Sequence, residues 1–111
     1  MTPASIESYP HIEFSNINNW DKIIKESYDQ PIVVKFWAPW CRVCKRNPGL
    51  YRKLSSKYSD EKIKFFECKI VRDYTIITQY GVDSLPTVKA FKDGEIIPDI
   101  GAKGSKLLDF D

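Results

Sequence analysis

Residues 31–45, PIVVKFWAPWCRVCK, decide the fold of this chain and point to its chemistry. Residues 32–38 form a nearly continuous run of apolar β-formers, which is typical of a parallel strand covered on both faces. Pro31 opens this run and Pro39 ends it, since a proline has no backbone N–H to donate to a neighbouring strand. We therefore predict a central strand that is followed at once by the two cysteines of the C-R-V-C segment.

The segments on either side of this strand predict one strand and two helices. His11–Phe14 has the composition of a short strand, and Asn16 or Asn18 can cap the helix that follows. After the central strand, we expect a helix from Cys41 to Tyr58 that is kinked near Pro48. The apolar face of the first helix would carry Trp20, Ile23, Ile24 and Tyr28.

The second half of the chain continues the alternation and then adds a hairpin. A strand is expected over Ile63–Val71, and then a short helix that Asp73 caps and Gly81 ends. The dipeptide Asp93-Gly94 favours a tight hairpin. The remaining elements are strands over Thr87–Lys92 and Glu95–Ile100, with Pro98 suited to an edge, and a helix near residues 105–110. The order βαβαβαββα predicts an α/β domain with a mixed sheet.

Length, composition and charge narrow the class of protein. The chain has 111 residues, of which 42% are hydrophobic, so we expect a single domain over residues 1–111. A formal net charge of +2 argues against a nucleic-acid or membrane-surface partner. No segment approaches the roughly 20 apolar residues of a membrane span, and residues 1–10 lack a leader-like apolar core. We expect a soluble monomer of the cytoplasm, or of an organelle interior after removal of a leader not present in this chain.

The cysteine pair indicates redox chemistry. Two cysteines three apart at the start of a helix lie within bridging reach, and the first sits where free N–H groups favour an anion. Arg42 and Lys45 add positive charge beside it. We therefore predict that Cys41 is the nucleophilic thiolate and that Cys44 is the resolving thiol.

A zinc site is the alternative that a C-x-x-C segment leaves open. Zinc would need two further ligands, and only Cys68 and His11 remain. Cys68 lies in an apolar strand, where a small core residue is the simplest interpretation, and His11 is expected to be structural or exposed. We expect no metal and no organic cofactor.

Four segments together resemble the thioredoxin family over nearly the whole chain. Residues 36–45, FWAPWCRVCK, are similar to the segment in which a strand delivers W-C-x-x-C-K onto a helix. Residues 80–87, YGVDSLPT, resemble the stretch that contains the family's cis-proline. Residues 91–95 and 100–102, FKDGE and IGA, follow in family-like order. The resemblance implies a thioredoxin fold, with helices on both faces of a central mixed sheet.

The same resemblance implies a partner-binding surface around the cysteines. The Leu85–Pro86 bond would be cis, and the backbone of Leu85 would pair with a substrate segment like an added strand. Trp40 would belong to this surface. Arg42 and Val43 stand where thioredoxins usually have Gly-Pro, so we expect a less reducing couple than in such proteins.

A second departure from the family lies beneath the cysteines. Lys35 occupies the strand position at which thioredoxins carry a buried aspartate, and Glu67 falls where they usually have its lysine partner. We predict a charge-swapped Lys35–Glu67 ion pair, in which Glu67 accepts the proton of Cys44. The alternative is that Lys35 reaches solvent and Glu67 is exposed.

Two classes of function remain open. The first is a dithiol oxidoreductase that acts on client proteins with disulfides. The Arg-Val dipeptide leaves a reductase, an oxidase or an isomerase open, and the lack of a visible secretory signal favours a reductase, which a disulfide reductase or glutathione would reduce again after each cycle. The second is an adaptor, or a subunit of a larger assembly, that holds a partner in the Leu85–Pro86 groove with redox chemistry secondary.

Overall fold

A mixed five-stranded sheet organises the part of the chain that the computed structural model describes, residues 12–46, 48–58, 61–71 and 74–103. The strands are β1 (Ile12–Asn16), β2 (Ile32–Trp37), β3 (Lys64–Lys69), β4 (Thr87–Lys92) and β5 (Glu95–Lys103). The helices are α1 (Trp20–Glu26), α2 (Pro48–Lys57) and α3 (Thr75–Thr78), with 3₁₀ turns at Ile17–Asn19 and Val43–Lys45.

The strand order places β2 in the middle of the sheet, as its apolar run predicted. The order is β1-β3-β2-β4-β5. β1 and β2 both run parallel to β3, whereas β4 is antiparallel to β2 and β5 is antiparallel to β4. Parallel neighbours need crossover connections, which α1 and α2 supply, while the antiparallel pair needs only a tight turn.

Helices cover both faces of the sheet, so the predicted fold class is confirmed. Alternate residues of β2 point to opposite faces, as the pleat of a strand requires. The face toward α1 and α3 holds a buried cluster that includes Trp20, Ile23, Val34, Phe36, Phe66, Cys68, Ile77 and Phe91. The face toward α2 holds Ile12, Val33, Tyr51, Phe65, Val88 and Ala90.

The hairpin between β4 and β5 has the predicted turn. Asp93 and Gly94 both adopt positive φ, 56° and 79°, which matches the right-handed twist of the flanking strands. Lys92 pairs with Glu95, so the two-residue loop has the register that the dipeptide predicted. β5 runs beyond the predicted end to Lys103, and Pro98 lies exposed on this edge strand.

The predicted continuous helix from Cys41 to Tyr58 is wrong. The chain makes a 3₁₀ turn at Val43–Lys45, Arg46 is extended with ψ of 143°, and α2 begins at Pro48. A proline is well placed at the first position of a helix, where its missing N–H would have no partner in any case. Pro48 therefore starts a helix rather than kinking one.

Three smaller predictions also change or fall outside the description. Tyr28 is exposed instead of lying on the apolar face of α1. Tyr74 stands at the N-cap of α3, and Asp73 lies outside the described residues, as do His11 and the helix expected near residues 105–110.

Candidate active site

A tight turn after β2 holds the two cysteines. The Cys41 N–H donates to the Ala38 carbonyl at 3.1 Å, and the 3₁₀ turn at Val43–Lys45 follows. The Cys44 N–H donates to the Cys41 sulfur at 3.2 Å. A donated N–H stabilises negative charge on the sulfur that accepts it. This hydrogen bond therefore gives the Cys41 thiolate the stabilisation that the sequence predicted from the first turn of a long helix.

The two sulfurs have different environments. Cys41 is partly exposed, whereas Cys44 is 5% exposed. Burial, followed by the hydrogen bond of its side chain with Cys41, raises the pKa of Cys44 to about 12. A thiol in this state is a poor nucleophile toward an external disulfide, because the thiolate is the reactive form. The geometry fits the predicted division between an attacking Cys41 and a resolving Cys44.

The loop before β4 closes over the first cysteine. The Leu85–Pro86 peptide bond is cis, as the family resemblance implied. The Cys41 thiol donates to the Leu85 carbonyl oxygen at 3.5 Å, across 44 residues of sequence. Pro86 is buried, and the antiparallel pairing of β4 with β2 holds this loop beside the cysteine turn.

Residues on either side of Cys41 present an exposed surface. Trp40 is 54% exposed, which is high for the largest apolar side chain, and Val43 is exposed as well. Arg42 stands between the two cysteines and is also exposed. An exposed aromatic and an exposed aliphatic residue beside a reactive sulfur form a small apolar contact surface.

Beneath the cysteines, Lys35 and Glu67 are neighbours in the sheet, as predicted. They are register partners on β2 and β3, and they are only 2% and 3% exposed. Both side chains therefore lie under α2, which rules out the alternative in which Lys35 reaches solvent and Glu67 is exposed.

The predicted direct ion pair between Lys35 and Glu67 is nevertheless wrong. The Glu67 carboxylate accepts two hydrogen bonds from Arg52 of α2, at 2.7 and 3.1 Å. Within the described ranges, no nitrogen–oxygen contact of 4 Å or less joins Lys35 to Glu67. The planar guanidinium presents two parallel donors to a carboxylate, which a lysine ammonium cannot match.

Arg52 is the functional-site residue that the sequence analysis missed. It lies on α2, packs its guanidinium 5.1 Å from the ring centroid of Phe14, and reaches Glu67 from above the sheet. No spacing rule links a helix position to a strand position fifteen residues away. The neighbouring Tyr51 shares its hydroxyl proton between the carbonyl oxygens of Val33 and Phe66, at 3.0 and 2.7 Å.

Among the residues that the structure describes, Lys35 has no direct anionic partner, and its pKa shows the effect. Burial lowers the pKa of Lys35, Glu67 opposes that shift, and Arg52 adds to it. The Nζ atom lies 5.8 Å from the ring centroid of Tyr51. The positive charge of Lys35 also lowers the pKa of Cys44. In turn, the negative charge of a Cys44 thiolate raises the pKa of Lys35.

Cys68 takes no part in this site. It is fully buried in the cluster on the α1 side of the sheet, as predicted, and burial raises its pKa to about 12. Across the described residues, no group of three or more histidine, cysteine or acidic side chains is placed to hold a metal ion. No helix in the same part of the chain is long and apolar enough to cross a membrane.

Comparisons with known proteins find relatives of one family. The sequence matches the thioredoxin family model over residues 11–110. It is 34% identical over 89 residues to a chloroplast M-type thioredoxin of Pisum sativum, covering 80% of this chain and 51% of that protein. It is 35% identical over 78 residues to a thioredoxin of Griffithsia pacifica, covering 70% and 71%.

A solved structure matches the whole fold. Mitochondrial thioredoxin 3 of Saccharomyces cerevisiae superposes with a TM-score of 0.67 at 27% sequence identity, covering 92% of each chain. The chain spans about half the length of the M-type relatives that it matches.

Proposed function

The chain belongs to the thioredoxin family, and from that premise we propose that it is a thiol–disulfide oxidoreductase acting on client proteins. The observation that carries this proposal is the asymmetry of the two thiols. Cys41 is accessible and accepts an N–H bond at its sulfur, whereas Cys44 is buried with its pKa raised to about 12. Such an arrangement allows one sulfur to meet a client and reserves the other for the second step.

The reaction transfers two electrons from the protein to the client. The Cys41 thiolate attacks one sulfur of a client disulfide, and the other client sulfur leaves as a thiolate that takes a proton from water. Cys44 then loses its proton and attacks the Cys41 sulfur. The client's second thiolate leaves, and a Cys41–Cys44 disulfide remains, so the client disulfide is reduced and the dithiol is oxidised. The protein's residues carry all of these steps without a metal or an organic cofactor.

The client would bind across the cysteine turn and the cis-proline loop. The Leu85 carbonyl, which lies against Cys41 before a client arrives, is placed to accept an N–H from an extended client segment. Trp40 and Val43 offer apolar contact on the other side of the sulfur. Pro86 would shape this loop, and the Arg42 cation would favour clients with acidic residues near the disulfide.

We place the protein on the reductase side of the exchange, with a disulfide reductase or glutathione as its electron donor. Thioredoxins of the chloroplast M-type are among its relatives, and they support an organelle interior as its location. A tagged copy expressed in its own cells would test that location.

Reduction of insulin by dithiothreitol tests the activity. We expect the unmodified protein to accelerate precipitation of the insulin B chain, and we expect Cys41→Ser to abolish the acceleration. Cys68→Ala is the matched control, because it removes a thiol that the site does not use, and it should retain the activity. An adaptor would instead bind clients with no turnover, so equal rates for the unmodified protein and Cys41→Ser would contradict the proposed activity.

A variant without the resolving thiol gives a second readout. Cys44→Ser should accumulate mixed disulfides between Cys41 and client proteins, which non-reducing gels would show and reductant would release. Adducts that form equally in Cys41→Ser would contradict the assignment of the attacking thiol.

A further inference from the structure

We propose that the cysteine turn and α2 form a cationic docking surface, which selects client proteins whose disulfide is flanked by acidic residues. The surface consists of Arg42, Lys45 and Arg46 of the turn and Lys53 of α2. This role rests on the proposed oxidoreductase function and names the class of client that reaches Cys41 fastest.

The charges of this chain are unevenly distributed along the sequence. Residues 31–59, which contain the central strand, the cysteine turn and α2, hold seven of the 17 lysines and arginines and none of the 15 acidic residues. The rest of the chain holds ten cations and all 15 acids. The net charge of +2 therefore combines one strongly positive region with a remainder that is negative.

Four of these seven cations are exposed and have no acidic partner. Arg52 is bound to Glu67, Lys35 is buried, and Lys57 lies over the ring of Tyr58. The exposed four are Arg42, Lys45, Arg46 and Lys53. In the part of the chain that the structure describes, no ion pair engages any of them. Their charges are therefore available to a partner.

The 3₁₀ turn arranges its side chains in three rows. Such a helix has about three residues per turn, so side chains three apart lie one above the other. The backbone N–H groups of residues 45 and 46 donate to the carbonyls of residues 42 and 43, both at 3.1 Å, and close the turn. The rows are Cys41 with Cys44, Arg42 with Lys45, and Val43 with Arg46. The cysteine row faces the protein, since Cys44 is buried, whereas both rows that carry cations are exposed.

This arrangement favours an acidic client. Like charges that lie close together with no acid among them repel one another, so the fold gains nothing from the cluster by itself. An acidic client removes this repulsion when it binds, and fields of this kind raise association rates by about 10-fold to 1,000-fold. Nucleic acids and lipid headgroups are also negative, but neither contains the disulfide that the partly exposed Cys41 attacks.

The position of Lys53 favours a protein over a small anionic disulfide. An α-helix rises about 1.5 Å per residue, so Lys53 lies about 7.5 Å along α2 from Pro48. A folded client can contact both the turn and α2, whereas we expect glutathione disulfide to meet only the turn. The cis-proline loop, whose Leu85 carbonyl contacts Cys41, carries the exposed acid Asp83. The acidic side of the client should therefore lie over the turn and α2 rather than over this loop.

Two synthetic peptides with one internal disulfide test this selection. The peptides are identical except that the residues flanking the cysteines are glutamates in one and lysines in the other. An excess of reduced protein reduces each peptide in a single turnover, and chromatography of acid-quenched samples gives the rate. At low salt we expect the acidic peptide to react about tenfold faster, at the lower end of the range for steered association. The difference should vanish between about 10 mM and about 1 M salt, because the screening length falls from about 30 Å to about 3 Å.

Two double variants of equal charge locate the effect on the surface. Arg46→Gln combined with Lys53→Gln should slow the acidic peptide about threefold, because two of the four cations carry half of a tenfold effect on a logarithmic scale. The rate with the neutral hydroxyethyl disulfide should not change. Lys22→Gln combined with Lys25→Gln is the matched control, because it removes two exposed lysines of α1 on the opposite face of the sheet. This control should leave both rates unchanged.

Equal rates for the two peptides would overturn the docking surface, as would equal losses in the two double variants. A loss for glutathione disulfide in Arg46→Gln with Lys53→Gln as large as that for the acidic peptide would overturn it in favour of a small anionic ligand. Salt-dependent binding of a single-stranded RNA, with no preference between the peptides, would overturn it in favour of a nucleic acid. Failure to reduce either peptide or hydroxyethyl disulfide would instead contradict the proposed oxidoreductase function.

Discussion

Removal of the Arg52 guanidinium should destabilise the fold more than removal of a surface lysine of the same sheet. Arg52→Met keeps the apolar stem over Phe14 but deletes both hydrogen bonds to Glu67. The side chains of Arg52 and Glu67 are only 12% and 4% exposed, so water cannot replace the lost donors well.

The magnitude follows from this burial. Removing one partner of a buried ion pair typically costs about 3–5 kcal/mol, because the other charge is left desolvated and unpaired. Lys35 is the register partner of Glu67 and can offer part of the missing positive charge. We therefore expect a loss near the lower end of that range, about 3 kcal/mol.

Urea unfolding at 25 °C under reducing conditions measures this loss. With a urea dependence of about 1.5 kcal/mol per M, a loss of about 3 kcal/mol lowers the unfolding midpoint by about 2 M. Lys64→Met is the matched control, because it removes a cation that bonds to Glu13 and Glu26, whose side chains are 46% and 34% exposed, from a lysine that is itself 29% exposed. Each exposed pair of this kind contributes at most about 1 kcal/mol.

A double-mutant cycle with Glu67→Gln makes the result specific to the pair. The effects of Arg52→Met and Glu67→Gln should be far from additive, since both variants remove the same interaction. The reasoning would be refuted if Arg52→Met lost no more stability than Lys64→Met. It would also be refuted if the two effects simply added.

Three further outcomes follow from the site. Iodoacetamide near pH 7 should label Cys41 and spare Cys44, because burial raises the pKa of Cys44 to about 12; the reverse pattern on a peptide map would contradict the assignment. Equilibration with glutathione buffers should give a potential less reducing than the roughly −270 mV of thioredoxin, since an exposed Arg42 and the N–H of Val43 favour the reduced thiolate over the disulfide. Arg42→Gly combined with Val43→Pro should lower that potential, and no change would mean that another feature controls it. The stability of the unmodified protein relative to Lys35→Met should rise between pH 7 and pH 10, because burial lowers the pKa of Lys35 and the unfolded chain binds more protons there. Urea unfolding of both proteins at the two pH values measures this difference, and a constant difference would contradict it.

Local patterns in the sequence determined most of the architecture. The apolar run at residues 32–38 predicted the buried central strand, which the structure has at Ile32–Trp37. Asp93-Gly94 predicted the hairpin because few other dipeptides adopt two positive φ angles at low cost. These features depend on the conformation or burial of a few adjacent residues, so their signal is contained in a short window.

The spacing of the two cysteines is also a local signal, but the groups that surround them come from distant parts of the sequence. Spacing alone indicated that Cys41 and Cys44 face each other. The carbonyl of Leu85 meets Cys41 only because β4 pairs with β2. Unaided, the sequence carries about a 5–6% expectation that an X–Pro bond is cis, so family resemblance rather than local chemistry pointed to that bond.

The tertiary structure alone decided how the buried charges are paired. The family resemblance predicted that Lys35 and Glu67 are neighbours, and the register of β2 with β3 confirms this. An ion pair between them was expected because the family has a pair of opposite charges at these two positions. The docking of α2 brings a third charge, Arg52, whose two donors match the carboxylate better than one ammonium does. A buried charge takes the partner with the best geometry in space, and a helix that packs across a sheet supplies that partner without any regular spacing in the chain.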